Sequence, residues 1–255
     1  MARALLTPVL ETTRPGPNAD VNEVRYFLSF MRLRTYVGVL GLALPVVVPL
    51  VDKLAFDGHP WPRGSISAYY YSGARELFVA ILAATGIFMI SYKVAERDLD
   101  NLLSVFSGFA AVVIALFPTG RPPTHPPLTP LQQLIGENWT KYVHYTATLS
   151  FVAALTGLSV CFGIREGRRK QKDPTEDRNA RFSPTFWRTL HFVCAGFMVA
   201  AILWIVGTAL FGGPKYSTLI GEWTAAWAFG VSWLTKGLEM RQLRQPAAPT
   251  GGAAP

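Results

Sequence analysis

The sequence predicts an all-α protein, a polytopic transmembrane six-helix bundle. Half of its 255 residues are hydrophobic and only 16% are Asp, Glu, Lys or Arg, against about one quarter charged in an ordinary soluble domain. Mean hydropathy is positive, at +0.26. Six long runs are apolar all round, without the charged outer face at 3.6-residue spacing that a soluble helix needs. Together these features exclude a soluble enzyme, a disordered chain and a nucleic-acid reader.

Residues 1–34 are expected to form a cytoplasmic segment. No cleavable signal peptide is expected there, because charge and proline interrupt the few apolar residues of MARALLTPVLETTRPGPNAD. From Ala19 to Tyr36 charge alternates with Val24, Phe27, Leu28, Phe30 and Met31, a pattern suited to a helix lying along the inner interface. The membrane domain follows over 35–236, with spans at about 35–51, 77–92, 102–117, 142–164, 189–211 and 218–235. Even the shorter runs reach roughly 24 Å at 1.5 Å per residue, enough to cross if flanking side chains reach the interfaces. The second, third and sixth are marginal in length. Pro45 and Pro49 remove backbone donors from the first span and are expected to kink it. Ser104, Gly108, Ala111 and Ala115 form a small-residue stripe on the third span, as do Glu222, Ala226 and Gly230 on the sixth. Such stripes face other helices in lipid, where close backbone approach drives packing. Residues 237–255, which end in QPAAPTGGAAP, are expected to be a disordered cytoplasmic tail.

Orientation follows from charge. With both termini cytoplasmic in the plasma (inner) membrane, eighteen of the 24 Lys and Arg fall inside, eight of them between Arg165 and Arg188, with Arg34 and Lys236 at span edges. The stretch IREGRRKQKDPTEDRNARFSP reads as a solvated anchor near anionic headgroups. The outer loops DKLAFDGHPWPRGSISAYYYSGARE and PTGRPPTHPPLTPLQQLIGENWTK are expected to pack as lids over the helix ends. Cys161 and Cys194 lie near the reducing side and are expected to be free thiols.

Ionisable groups in an apolar bundle are expensive, so their location is the best functional clue. On the outer side these are Asp52, Arg75, Glu76, His144 and Glu222, preceded by Ser65, Ser67 and Tyr69 of the RGSISAYYYSGARE run. The candidate ligand-binding residues are Ser65, Ser67, Tyr69, Arg75, Glu76, His144 and Glu222, converging on an outward-facing cavity in which Arg75 attracts an anionic group. The competing reading places Arg75 and Asp52 in the headgroup layer, Tyr69 to Tyr71 as interfacial anchors, and His144 on a loop carbonyl. No metal or cofactor is expected. Haem needs paired axial ligands at matched depth, and a zinc site is conceivable only with His59 or His125 joining His144 and Glu222. No GxSxG, H-E-x-x-H, P-loop or dinucleotide fingerprint is present.

The succession SISAYYYSGARELFV, ALFPTG and VHY resembles large bacterial six-helix membrane families of unknown function, distantly like the group containing the FGF-receptor-activating protein, DRAM and Sfk proteins. Those families place a serine motif before the second span, a Phe-Pro at the end of the third and a histidine at the start of the fourth. The matching positions are Ser65 and Ser67, Phe117 and Pro118, and His144. The resemblance implies six spans and an outer polar cluster, and no reaction. The alkaline-ceramidase-like membrane hydrolases are a poorer match, because the last helix carries Glu222 and Lys236 and no His-x-x-x-His pair.

The functional expectation is a membrane protein, more binder than enzyme, that holds a lipid headgroup or small amphiphile. A membrane-embedded hydrolase acting on a lipid is the alternative, and a small-solute transporter, without an obvious inverted repeat, is the third reading. Membrane lipids are the expected partners, with no nucleic acid.

Overall fold

The computed structural model describes residues 21–57, 60–91, 99–172 and 182–242. Among the described residues every regular element is helical: α1 (Val21–Phe56), α2 (Arg75–Ile90), α3 (Leu99–Leu116), α4 (Pro130–Ile135), α5 (Glu137–Lys172), α6 (Pro184–Phe211) and α7 (Ser217–Gln242), with a 3-10 turn at Ser67–Tyr71. Each apolar run of the sequence falls mainly on its own long helix; α4 is a single short turn in a loop.

Four helices contain stretches long and apolar enough to cross a membrane: Met31–Phe56, Leu99–Leu116, Glu137–Gly167 and Pro184–Phe211. The other two long helices do not qualify by length and composition. With 16 residues α2 is shorter than the ~20 that a span requires, and α7 dilutes its apolar residues with Glu222, Lys236 and several small or polar side chains.

Local sequence sets several boundaries. Ser183 accepts a hydrogen bond from the Phe186 amide at 3.2 Å, and Pro184 follows it, so α6 begins with an N-cap and a pre-set φ. Thr129 and Gln132 form a reciprocal capping box on α4. Both α4 and α6 stop at glycines with positive φ, Gly136 (91°) and Gly212 (79°). α1 continues unbroken from Val21 through Pro45 and Pro49, so residues 21–34 extend the first long helix. Since Pro45 and Pro49 lack an N–H, the carbonyls of Gly41 and Pro45 lose their helical donors. Similarly, α7 runs as helix to Gln242, beyond the expected start of the tail at 237; residues 243–255 and the heart of the basic run, 173–181, lie outside the described residues.

The six long helices close a ring in chain order, α1, α2, α3, α5, α6, α7, with α7 returning to α1. Neighbours run antiparallel. Ser104 on α3 donates to the Met89 carbonyl on α2 at 2.8 Å, Trp204 on α6 donates to the Ser217 carbonyl on α7 at 3.0 Å, and Gly230 on α7 meets Leu42 on α1. Val21 and Gln242 therefore lie at one end of the bundle, and the 60–74 and 117–136 segments cap the other. These caps are lids: Ile66, Tyr69 and Tyr70 are buried with Val48, Phe78 and Ile114, and the Tyr71 hydroxyl donates to the Thr119 carbonyl at 2.6 Å while accepting from Gln132 Nε2 at 2.9 Å. The stripe Ser104, Gly108, Ala111, Ala115 is buried against its neighbours. Cys161 and Cys194 are buried and form no disulfide.

Candidate functional site

At the lid end a cavity of about 630 Å³ opens among α5, α6, α7 and the two loops, within the roughly 300–1,000 Å³ typical of small-molecule sites. The polar part of its wall is Ser65, Ser67, His144, Thr148 and Glu222; the apolar part is Leu149, Val152, Ile202, Ile205 and Val206. Below it lies a smaller space of about 120 Å³ on the bundle axis, reached past Ser67, Thr148 and Glu222 and lined by Leu44, Leu82, Phe151 and Phe229. Side chains from all six long helices line this inner space.

Glu222 joins the lid to the bundle. One carboxylate oxygen accepts the Ile66 amide in a very short contact, and the other accepts the Ser67 hydroxyl at 3.2 Å. Ser65 holds the turn from the other side, its Oγ accepting the Ala68 amide at 2.9 Å. His144 places Nδ1 2.7 Å from the Phe117 carbonyl. A carbonyl only accepts, so Nδ1 carries the proton and Nε2 of the neutral ring is an acceptor. The Phe117 carbonyl closes α3, where helical acceptors lack partners. The Phe-Pro and the histidine singled out in the sequence thus meet as a helix terminus and its cap.

The structure brings together Ser65, Ser67, His144 and Glu222 around this cavity and sets Tyr69, Arg75 and Glu76 apart from its lining. Tyr69 is buried in the lid, its hydroxyl accepting the Arg63 amide at 3.2 Å. Arg75 donates to the Tyr70 hydroxyl at 2.8 Å and lies 4.4 Å from that ring's centroid. Glu76 is exposed on the first turn of α2. Asp52 is fully buried and pairs with Arg63 at 3.0 Å. Among the described residues no Lys or Arg lines the cavity, and no three His, Cys, Asp or Glu come together as metal ligands. His125 is exposed on the loop; His59 lies outside the described residues.

Sequence reading missed a second polar cluster, at the opposite end. Lys236 on α7 donates to Glu166 on α5 in a very short pair, and Arg165 pairs with Asp100 of α3 at 3.1 Å. Arg34 donates to the Trp233 carbonyl at 3.4 Å, its guanidinium 4.7 Å from the Phe162 ring and 5.1 Å from Trp233. Ser159, Ser232 and His191 form a buried chain at 2.8 and 3.0 Å. The five charged groups are each at most 7% exposed. Arg34, Arg165 and Lys236, which the sequence places among the orientation-setting charges of the inner side, are buried. The available signal was position, since each charge stands within a few residues of the end of an apolar run, where a hydropathy reading ends the span.

Compared with protein-family profiles, curated proteins and solved structures, the chain gives no significant match.

Proposed function

We propose that this chain is a six-span integral membrane protein of the plasma (inner) membrane, with both termini cytoplasmic, that binds a lipid headgroup or small amphiphile in the lid-end cavity. The observation that carries the reading is the cavity's mixed lining: Ser67, His144 and Glu222 together with Leu149, Val152, Ile202 and Val206, beside a largely apolar space lined by all six long helices and by Ile66 and Ser67 of the lid. An amphiphile satisfies both kinds of lining at once, whereas a fully polar solute leaves the apolar part wet. α2 and α7 complete the six spans because each is flanked in the ring by longer apolar helices, which cover the faces that a lone short helix would expose. The six-helix families resembled in sequence are consistent with that topology.

Native mass spectrometry of the protein after gentle detergent extraction tests the reading. A co-purifying adduct of amphiphile mass that diminishes in Glu222→Gln supports it. A ligand-free wild-type protein that binds no added amphiphile overturns it. The hydrolase alternative draws on Ser67 and His144 sharing one cavity, and it separates cleanly: it requires turnover of a lipid ester or amide that His144→Ala abolishes, with labelling of Ser67 by a serine-reactive probe.

A further inference from the structure

We infer that the cavity's occupant is a membrane-resident amphiphile whose head donates hydrogen bonds and carries no net negative charge, and that it enters sideways between α5 and α6. This rests on the binding function proposed above and adds the class of head and the route.

The head follows from the polar wall. Glu222 is the one carboxylate lining the cavity, and no described Lys or Arg faces it there. A carboxylate offers about four acceptor positions; the Ile66 amide and the hydroxyl and amide of Ser67 take up to three, leaving about one on a side chain that is itself part of the lining. The lid-end guanidiniums are engaged elsewhere, Arg121 on Glu137 at 2.6 Å, Arg63 on Asp52 and Arg75 on Tyr70, and the two lysines beside the lining, Lys141 next to Gly120 and Lys215 next to Gly64, hold their ammonium groups over Tyr142 and Tyr216. An anionic head would meet a carboxylate with no cation in the cavity lining, a costly juxtaposition away from bulk water. A hydroxyl-bearing or amine head meets an acceptor. Arg75 stays on the Tyr70 hydroxyl, outside the lining, and brings no positive charge to it.

The route follows from the apolar wall. On α5, Tyr145, Leu149 and Val152 line the cavity over two turns, and Ile202, Val206 and Ala209 do so on α6. Tyr145 and Leu149 are each 51% exposed and Val206 is 44% exposed. These cavity-lining side chains keep about half their surface accessible, so the mouth of the cavity is assigned to the seam between the two helices. Nearer the chain termini the helices close up, with Phe162 and His191 rings 5.5 Å apart and Gly163 against Phe192. The gap is thus confined to the lid half. Its edges are apolar, so in the membrane it opens onto hydrocarbon, and a lipid reaches the polar wall without passing through water.

Binding to the full-length protein in nanodiscs, with probes of equal chain length, tests both parts. A long-chain alkylamine and a monoacylglycerol should bind stoichiometrically, and the corresponding fatty acid at least tenfold more weakly. Free glycerol should not compete. Leu149→Trp and Val206→Trp, which fill the gap from half-exposed positions, should each weaken the two favoured probes at least tenfold with unchanged melting temperature, and Glu222→Gln should abolish the preference over the fatty acid. If one Trp variant misfolds, the other supplies the readout, and reaction of Leu149→Cys with a bulky maleimide blocks the same gap after folding. Preferred binding of the fatty acid overturns the head assignment. Undiminished binding in the blocked, folded variants overturns the lateral route. Failure of every chain-bearing probe overturns instead the binding function itself.

Discussion

Glu222 illustrates how one side chain serves structure and site together. By accepting from Ile66 and Ser67 it fixes the serine-rich lid to α7, and the same carboxylate is part of the cavity wall. Glu222→Ala leaves those lid donors without their acceptor and is expected to destabilise the protein by about 1–3 kcal/mol; Glu222→Gln, which keeps an acceptor oxygen, should cost less. Thermal unfolding in detergent of the two variants checks the ordering. Tyr71 gives a pH signature. Burial, outweighing the Gln132 hydrogen bond, pushes its phenol up from 10.0 to about 12. Between those values the unfolded chain loses the Tyr71 proton while the folded one keeps it, so the contribution to stability is complete below pH 10 and disappears by about pH 12. Tyr71→Phe should flatten that part of the alkaline stability profile, and an unchanged slope would count against the assignment.

Among the elements, α2 and α3 show most directly why small residues stand where they do. A Cβ at Gly86 would lie 2.6 Å from the Gly108 carbonyl oxygen, and one at Gly108 2.5 Å from the Gly86 oxygen. Both obstacles are backbone, which cannot rotate aside. Gly108→Ala should therefore cost about 1–3 kcal/mol through overpacking, while Gly196→Ala, with nothing within 4 Å, should be neutral or better; paired melting curves decide it. The stripe on α3 was readable from sequence because small-residue spacing reports helix contact directly. The opening between α5 and α6 was not, since it depends on which faces of two helices diverge, and no local pattern encodes that. Chain proximity to Ser67 and Tyr69 brings Arg75 near the same site in sequence, whereas the start of α2 turns its guanidinium onto Tyr70, outside the cavity lining.

On the scale of the whole molecule, polarity is divided between two ends of one ring: an accessible cavity beneath the lids and a sealed ionic cluster beside the chain termini. Removing one partner of a buried pair typically costs about 3–5 kcal/mol. Lys236→Met is expected to fall in that range, and Lys236→Met with Glu166→Gln to recover much of it; a double-mutant cycle by denaturation measures the coupling. The topology has its own test. In a background lacking Cys161 and Cys194, Thr124→Cys should react with an impermeant maleimide in intact cells and Lys172→Cys only after lysis. Labelling of position 172 from outside would invert the orientation. Helical class and lid packing were legible because composition and turn-rich loops encode them; the ionic cluster was not, because its members are scattered from Arg34 to Lys236 and only ring closure assembles them.

That closure depends on α7. It supplies Glu222 to the lid and Lys236 to Glu166, and it seats Gly230 against α1. A chain that lacks α7 holds Glu166 without its lysine and a lid without its latch. Closure of the ring is consequently gated by the arrival of α7, so chains halted in the 212–216 connection should be protease-sensitive however many of the preceding helices are already in place.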